Sequence, residues 1–404
     1  MEDGERNQSI SSGGGRISSR LPVPNGPRGS RHLRPLVDAL CQFGTMQRPD
    51  IATRLGISKQ TVSELVAALE ADGFVSPRGP VGGLPGRSAM SYELVADASV
   101  CLGIDLGGTK ITFALADLLG TPIAESTEPT DTKSGLHVLD QVTRGSAELC
   151  RVAGMDRSRL RACVIGIPAA VHPASGRISL AGNLPGLDDL PLAEMLSRSI
   201  GCPVLLENDV NLALAGEVAA GVARGKRNVA FVALGTGIGA GVMVDGHLLR
   251  GAHGGVGEVA YLPFPGGQPD ADTIRQGQLE AAVGSAGIMA AYRANGGERA
   301  VDVRTMFEAA AAGEQGAIAV LGCLSAEMAR CVAALAAIAD PEVVVLGGGI
   351  GAREELRSLV ADELARNFVR PVSLVTSAHG ARATVVGAID QARERMLTAL
   401  FGPA

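Results

Sequence analysis

The stretch Cys101–Lys110, read CLGIDLGGTK, decides the fold of this chain. An apolar run from Val100 to Ile104 ends in Asp105 and then turns through glycines, and apolar residues alternate with small or polar ones from Ile111 onward. This pattern predicts a buried strand, a tight glycine turn and a second strand. Because glycines let backbone N–H groups approach a phosphate, the stretch is either a phosphate-binding hairpin or an ordinary glycine-rich one.

Two further glycine clusters favour the phosphate-binding alternative. Ala230–Gly239 repeats the pattern of strand, Gly/Thr turn and strand, and Gly347–Gly349 follows an apolar strand and precedes a helix. Together they predict two related lobes that close over one phosphate chain, with the third cluster against the nucleoside. Asp105 would hold Mg²⁺ through water, and Lys110 would neutralise phosphate charge. The residues predicted to bind nucleotide are Asp105, Gly107, Gly108, Thr109, Lys110, Thr236, Gly237, Gly348 and Gly349.

Composition indicates a soluble, cytoplasmic globular protein. The 404 residues are 46% apolar and 19% charged, and they allow two or three domains. No uninterrupted apolar run approaches the roughly 18 residues that a membrane span needs, and residues 1–20 lack the apolar core of a signal peptide. The seven cysteines show no CxxC spacing. We therefore expect free thiols in a reducing compartment and no membrane partner.

Charge and composition divide the chain. Residues 1–30 are rich in Gly, Ser, Arg and Pro, which predicts a disordered tail. The net charge is −6, but residues 1–92 hold 11 basic and 8 acidic residues, whereas the remainder holds 25 and 34. Only the N-terminal part therefore suits an anionic polymer. We expect one domain at residues 31–94 and a second at residues 98–400.

Residues 31–94 resemble a winged helix-turn-helix. A first helix and a second, Met46–Leu55, precede a turn at Gly56 and a third helix that Ser58 caps. The polar leading face of that third helix suits base edges, and Gly82–Tyr92 resembles the wing. The alternative is a helical bundle used for dimerisation. The residues predicted to contact a double-stranded DNA operator are Ser58, Lys59, Gln60, Thr61, Ser63 and Arg87.

From Val100 onward, short apolar strands alternate with helical patterns, which predicts an α/β body. The predicted strands are Cys163–Ile167, Val204–Glu207, Val229–Leu234, Gly241–Val244 and Val343–Leu346. The predicted helices are Gly135–Ala153, Leu192–Ile200, Val210–Ala223, Leu279–Ala294 and Gly316–Ala339.

These motifs together resemble the ROK family of repressors, unassigned reading frames and sugar kinases. The matching motifs are DLGGTK at 105–110, END at 207–209, LGTGIGAG at 234–241, HGGVGE at 253–258 and VVVLGGG at 343–349. The resemblance implies an actin-like and hexokinase-like body of two α/β lobes with a cleft between them. A preceding winged helix-turn-helix is similar to the family's transcriptional regulators, because its free-standing kinases lack that domain.

The resemblance also implies residue roles. Asp209 matches the catalytic base that takes a proton from a sugar hydroxyl. Asn183 and Asn208 match amide contacts to sugar hydroxyls, and Glu258 and Glu280 match carboxylates that accept further hydroxyl hydrogen bonds. Considered without the family, Asn208 and Asp209 are better explained as a helix cap than as a sugar site, because they follow a strand and open a helix.

The chain departs from the family at a structural Zn²⁺ site. Tyr261 stands where many members have a His that binds zinc and contacts the sugar, so it joins the predicted sugar site. The three Cys positions are occupied by Ala271, Thr273 and Gln278. Because all four ligands are missing together, no zinc is expected.

Three functions follow from this sequence. The first is a sugar-responsive transcriptional regulator, most simply a repressor of carbohydrate metabolism genes, whose effector is a sugar or sugar phosphate. The second is an ATP- and Mg²⁺-dependent hexose or amino-sugar kinase, glucokinase-like, that carries a DNA-binding domain. The third, a non-catalytic assembly module, ranks below both. A regulator is expected to be a homodimer or a dimer of dimers that places two recognition helices on a palindromic operator.

Overall fold

The computed structural model describes residues 31–79, 90–180, 184, 186–188, 190–263 and 269–404. They form an N-terminal unit and two α/β lobes. The strands are β1 Met46–Gln47, β2 Val75–Arg78, β3 Ser91–Leu94, β4 Val100–Leu106, β5 Lys110–Asp117, β6 Pro122–Pro129, β7 Leu160–Ile167, β8 Ala170–Val171, β9 Ile178–Ser179, β10 Val204–Asn208, β11 Val229–Leu234, β12 Ile238–Val244, β13 His247–Leu248, β14 Val343–Gly347 and β15 Leu374–Thr376. The α-helices are α1 Leu33–Phe43, α2 Arg48–Leu55, α3 Lys59–Ala71, α4 Gly135–Val152, α5 Leu192–Ile200, α6 Asp209–Ala220, α7 Ala271–Gln276, α8 Gln278–Val283, α9 Ser285–Ala294, α10 Val303–Ala311, α11 Gln315–Ala339, α12 Gly348–Gly351, α13 Glu354–Asn367 and α14 Ala383–Phe401.

The N-terminal unit packs three helices on a small sheet. Apolar residues of α1 and α3 recur at helical spacing and are buried together with Ile51 of α2. The sheet order is β1-β3-β2, with both pairings antiparallel. Helix α3 begins at the predicted cap, because the Ser58 hydroxyl accepts a hydrogen bond from the Thr61 amide at 3.0 Å. The tip of the predicted wing, including Arg87, lies outside the described residues.

The first lobe is built on a five-stranded sheet of order β10-β7-β4-β5-β6. Strand β5 pairs antiparallel with both β4 and β6, whereas β7 pairs parallel with both β4 and β10. Alternate residues of β4 enter different cores, since Leu102 and Ile104 pack toward α4 and α5 while Cys101 packs toward α14. Helices therefore cover both faces of this sheet.

The second lobe repeats the sheet of the first strand for strand. Its order is β13-β12-β11-β14-β15, with an antiparallel β11-β12-β13 meander and parallel β11, β14 and β15. The glycine turns of the two lobes thus occupy equivalent places, between the first and second strand of each sheet. Two related lobes are what the repeated hairpin predicts.

Helices α6 and α14 lie between the two sheets. Helix α6 packs on β11 and β12 of the second lobe, and α14 packs on β4 and β7 of the first. The two helices also pack along each other. The sequence analysis did not assign α14.

Helix α11 is long and apolar enough to cross a membrane by length and composition, with a mean hydropathy of 1.7. It packs instead against α9, α10 and α13, and one of its faces enters the core of the second lobe. It is a core helix of this lobe.

Three helix predictions were wrong by two residues or more at one end or by a break within the helix, whereas Gly135–Ala153 and Gly316–Ala339 differ from the observed helices by one residue at one end. Met46 and Gln47 form the strand β1, which pairs with β3, so the second helix begins at Arg48. The helix predicted over Leu279–Ala294 is two helices, because Gly284 interrupts it against the Thr236 carbonyl. The helix predicted at Val210–Ala223 begins at Asp209 and ends at Ala220.

Candidate functional site

The β4–β5 turn presents Asp105 and Lys110 beside its glycines. Gly107 donates its amide to the Lys110 carbonyl at 3.0 Å, which closes the turn. Thr130 stabilises the turn, because its hydroxyl donates to the Gly107 carbonyl at 2.7 Å and its amide donates to the Thr109 carbonyl at 3.1 Å. Burial raises the pKa of Asp105 to about 6, an effect that the positive charge of Lys110 reduces. The turn is therefore a fixed loop with an acid at its base.

Two glycine turns of the second lobe lie side by side. Strands β11 and β14 are parallel neighbours, so the turns that follow them meet at one edge of the sheet. A Cβ built on Gly235 would lie 3.8 Å from the Gly349 amide nitrogen. Gly348 has φ +78°, and a Cβ there would overlap the Leu234 carbonyl, so glycine is required at that position. A Cβ on Gly349 meets open space, so no described atom packs against this side of the glycine.

Asn208 and Asp209 open helix α6. The Asn208 side-chain oxygen accepts from the amides of Val210 and Asn211, both at 3.0 Å, and its nitrogen donates to the Ala169 carbonyl at 3.3 Å. Asn208 is thus the N-cap that the sequence offers as the alternative to a sugar contact. Asp209 is the first helical residue, and its carboxylate accepts from the Val210 amide at 2.9 Å.

Four carboxyl groups and one phenol share the cleft. Burial raises the pKa of Asp209 to about 7, and the negative charges of Asp105 and Glu258 add to that effect. Burial also raises the pKa of Glu258, with a contribution from Glu280. The pKa of Tyr261 is raised by burial and then by Glu258 and Glu280, although the side chain is 42% exposed. The structure therefore brings together Asp105 of the first lobe, Asp209 at the junction, and Glu258, Tyr261 and Glu280 of the second lobe.

Glu280 supports the glycine turn between β11 and β12 as well as facing this cluster. Its carboxylate accepts from the Ile238 amide at 3.1 Å, at the start of β12. A Cβ on Gly237 would overlap that carboxylate, so Gly237 leaves the space that Glu280 occupies. One oxygen of Glu280 is committed to the turn. Asn183, the remaining predicted sugar contact, lies outside the described residues.

An ion pair between the lobes is a feature that the sequence analysis missed. Arg250, in the loop after β13, donates to Glu207 of β10 at 2.7 Å. The Glu207 side chain is only 6% exposed, and its other oxygen accepts from the Asn208 amide at 3.0 Å and the Asn211 side chain at 3.1 Å. We call this pair the interlobe clasp. It ties the loop that leads to Glu258 to the strand that ends at Asn208.

The predicted DNA-contacting residues lie at one end of α3. Lys59 and Gln60 are exposed, and Gln60 donates to Glu64 at 3.1 Å. The Thr61 hydroxyl lies 2.8 Å from the Ser58 hydroxyl, and the Ser63 hydroxyl donates to the Lys59 carbonyl at 2.9 Å. Four of the five described candidates therefore have side chains engaged within α3 or at its cap, which leaves Lys59 as the unengaged cation of this end.

Comparison with known proteins identifies the family. The ROK family model matches residues 101–395, nearly three quarters of the chain. The chain belongs to the ROK family. It is 29% identical to the glucokinase of Thermotoga maritima over 313 residues, which are 73% of this chain and 98% of that enzyme.

Solved ROK structures match either the body or nearly the whole chain. The ROK hexokinase from Thermus thermophilus superposes with a TM-score of 0.62 at 30% identity, over 72% of this chain and 98% of its own. A ROK family transcriptional regulator described as a homolog of the E. coli MLC protein superposes with a TM-score of 0.73 at 20% identity, over 92% of this chain and 97% of its own. The predicted two-lobed ROK body is confirmed. Family members similar to this chain include both regulators and kinases.

Proposed function

We propose that this ROK protein is a sugar-responsive, DNA-binding transcriptional regulator of the cytoplasm. The observation that carries the proposal is the N-terminal unit. The fold shared with the ROK transcriptional regulator extends over 92% of the chain, whereas the fold shared with the ROK hexokinase extends over 72%. The additional part has three helices followed by an antiparallel hairpin, an element order typical of a winged helix-turn-helix.

Helix α3 is the proposed recognition helix. Its first turn exposes Lys59 and Gln60, a cation for phosphate or guanine and an amide for adenine, next to a helix N-terminus that favours anions. Two such helices in a homodimer would reach half-sites about 34–36 Å apart, one turn of B-DNA. The palindromic operator and the homodimer are parts of this proposal.

The body is the proposed effector site. Polyols are recognised by convergent hydrogen-bond acceptors and donors, and the cleft offers the carboxyl groups of Asp209, Glu258 and Glu280 and the Tyr261 phenol. These acids repel one another when ionised. A sugar whose hydroxyls donate to them would relieve part of that repulsion, so sugar binding and lobe closure would reinforce each other.

A second candidate function, ATP-dependent phosphorylation of a hexose or amino sugar, is favoured by the intact phosphate turns. The open space at Gly349, beside Gly235, and the partly buried acid Asp105 fit a nucleotide and its Mg²⁺, because unhindered backbone amides suit phosphates and carboxylates suit Mg²⁺. When bound with Mg²⁺, ATP would supply the phosphoryl group. Asp209, with a pKa of about 7, is suited to take the proton from a sugar hydroxyl.

The regulator proposal is tested with the full-length protein and duplexes selected from a random 30-base-pair library. Fluorescence anisotropy should show specific binding of a selected duplex. Lys59→Ala should raise its dissociation constant about tenfold, the size expected for one lost base or phosphate contact. The matched control is Lys133→Ala, which removes an exposed lysine of the body that pairs with Asp131. Equal binding by wild type and Lys59→Ala, or selection of no duplex, would reject the assignment of α3.

The kinase proposal is tested by ATP turnover against glucose, mannose and N-acetylglucosamine, with Mg²⁺ present. Sugar-dependent turnover should be lost in Asp209→Asn and retained in Asp270→Asn, which alters an exposed acid that caps α7. Equal turnover in wild type and Asp209→Asn would rule out the assigned base. DNA binding without turnover would leave the regulator as the sole function.

A further inference from the structure

Helix α14 begins at the proposed sugar site. The hydroxyl of Thr384, in its first turn, donates to the Asp209 main-chain carbonyl at 3.1 Å. The Thr384 methyl lies close to Gly166 of β7, where a Cβ would come within 2.6 Å of it. Any displacement of Asp209 on ligand binding therefore acts directly on the start of α14.

The other end of α14 holds the N-terminal unit. Arg34 of α1 is only 5% exposed, and its guanidinium donates to both carboxylate oxygens of Glu394, at 2.6 and 3.1 Å. Phe74, which precedes β2, meets Phe401 edge to face with ring centroids 5.0 Å apart. One continuous apolar core contains side chains of α1, α3 and α14. The N-terminal unit is thus docked on α14 by a bidentate ion pair and a shared core.

The first two turns of α14 cross α6, and the two backbones are in contact there. A Cβ on Gly216 would lie 2.6 Å from the Ala383 carbonyl, and a Cβ on Gly387 would overlap the Leu212 carbonyl. Because α6 packs mainly on the sheet of the second lobe and α14 on that of the first, a change in the angle between the lobes would shift the two helices against each other at this crossing. Smooth glycine surfaces allow one helix to pivot on the other.

We propose that α14 transmits the ligand state of the sugar site to the DNA-binding unit, with Thr384 as the positioning residue at one end and Arg34 with Glu394 as the output contact at the other. The 19-residue helix spans about 28 Å at 1.5 Å per residue, so it moves both ends as one body. The inference rests on the proposed function, since it assumes a sugar and an operator. Coupling of this kind requires that both sites bias one element, and α14 contacts both.

The test is hydrogen exchange on the full-length chain, with and without glucose, mannose or N-acetylglucosamine. In wild type, the sugar should change exchange in α6 and, by about threefold or more, in α1. In Glu394→Gln, whose side chain is half exposed and tolerates the change, the α6 response should persist while the α1 response disappears. Thr384→Val should have the same effect from the other end. Glu308→Gln, which breaks a surface ion pair with Arg304 on α10, is the matched control and should behave as wild type.

A DNA readout separates coupling from folding. For wild type we expect the sugar to change the dissociation constant of the selected duplex about tenfold, within the usual range of allosteric coupling. In Glu394→Gln the ratio of the dissociation constants with and without sugar should fall toward one, while sugar-free binding is retained. An α1 response in Glu394→Gln and Thr384→Val equal to that of wild type would overturn the inference. Absence of any α6 response to all three sugars would instead refute the proposed sugar response, and the inference with it. A wild-type α6 response with no α1 response would overturn the inference alone.

Discussion

Asp209→Asn should stabilise the ligand-free protein, and the gain should depend on pH. Burial raises the pKa of this carboxyl from 3.8 to about 7, so between about pH 4 and pH 7 the folded state holds a proton that the unfolded state has released, and above pH 7 the full cost of ionising the buried carboxyl remains. Each pKa unit corresponds to 1.36 kcal/mol, which gives a destabilisation of about 4 kcal/mol at pH 8 and about 2 kcal/mol at pH 5. Below pH 4 both states are protonated and the cost vanishes. Asparagine removes the titration and still accepts from the Val210 amide.

The assay is urea denaturation followed by circular dichroism at pH 5 and pH 8. The free energy of unfolding of Asp209→Asn should exceed that of wild type at both values, and by about 2 kcal/mol more at pH 8. Asp270→Asn is the control with the opposite sign, because hydrogen bonds from the Thr273 amide and hydroxyl lower the pKa of Asp270, so this variant should lose stability. A pH-independent difference, or a loss of stability in Asp209→Asn at pH 8, would refute the assigned electrostatics.

Three further predictions use the same unfolding assay. Glu207→Gln breaks the interlobe clasp and should cost about 1–3 kcal/mol, whereas Glu308→Gln at an exposed pair should cost under 1 kcal/mol; equal effects would argue against the clasp. Gly387→Ala pushes α14 off α6 and should cost about 3 kcal/mol or more. Its control, Gly322→Ala, places a Cβ in open space and should stabilise the protein by about 0.5–1 kcal/mol. If Gly387→Ala and Gly322→Ala both left the free energy of unfolding unchanged, the close crossing of α6 and α14 would be contradicted. Ser58→Ala removes the α3 cap and should cost about 1 kcal/mol, and the contribution of the cap is rejected if Ser63→Ala costs as much.

Local patterns in the sequence predict much of the fold and site. The hairpins at Asp105 and Thr236 follow from apolar strands around glycine turns, and the start of α3 follows from Ser58. These signals are local, since each depends on residues within one or two turns of chain. The strand β1 is different, because Met46 and Gln47 become a strand only by pairing with β3, more than forty residues away.

The contacts that join parts of the molecule were not predictable in this way. Glu207 is read from the sequence as part of a motif, but nothing near it indicates Arg250, which comes from the other lobe. For Asn208 the difficulty is local, because one sequence pattern fits both of its candidate roles, the helix cap and the sugar contact. The structure assigns the amide oxygen to the cap, and whether the rest of Asn208 contacts a sugar stays a prediction.

The docking of the N-terminal unit on α14 has a consequence for protein engineering. Side chains from residues 33–94 and from the end of α14 complete one core, so the unit expressed without α14 would expose that apolar face. A chimaera that grafts residues 31–94 onto another ROK body would meet a foreign helix in place of Glu394 and Phe401. With the proposed function, exchange of DNA specificity between such proteins calls for transplanting two segments that are distant in sequence, the N-terminal unit and the C-terminal half of α14.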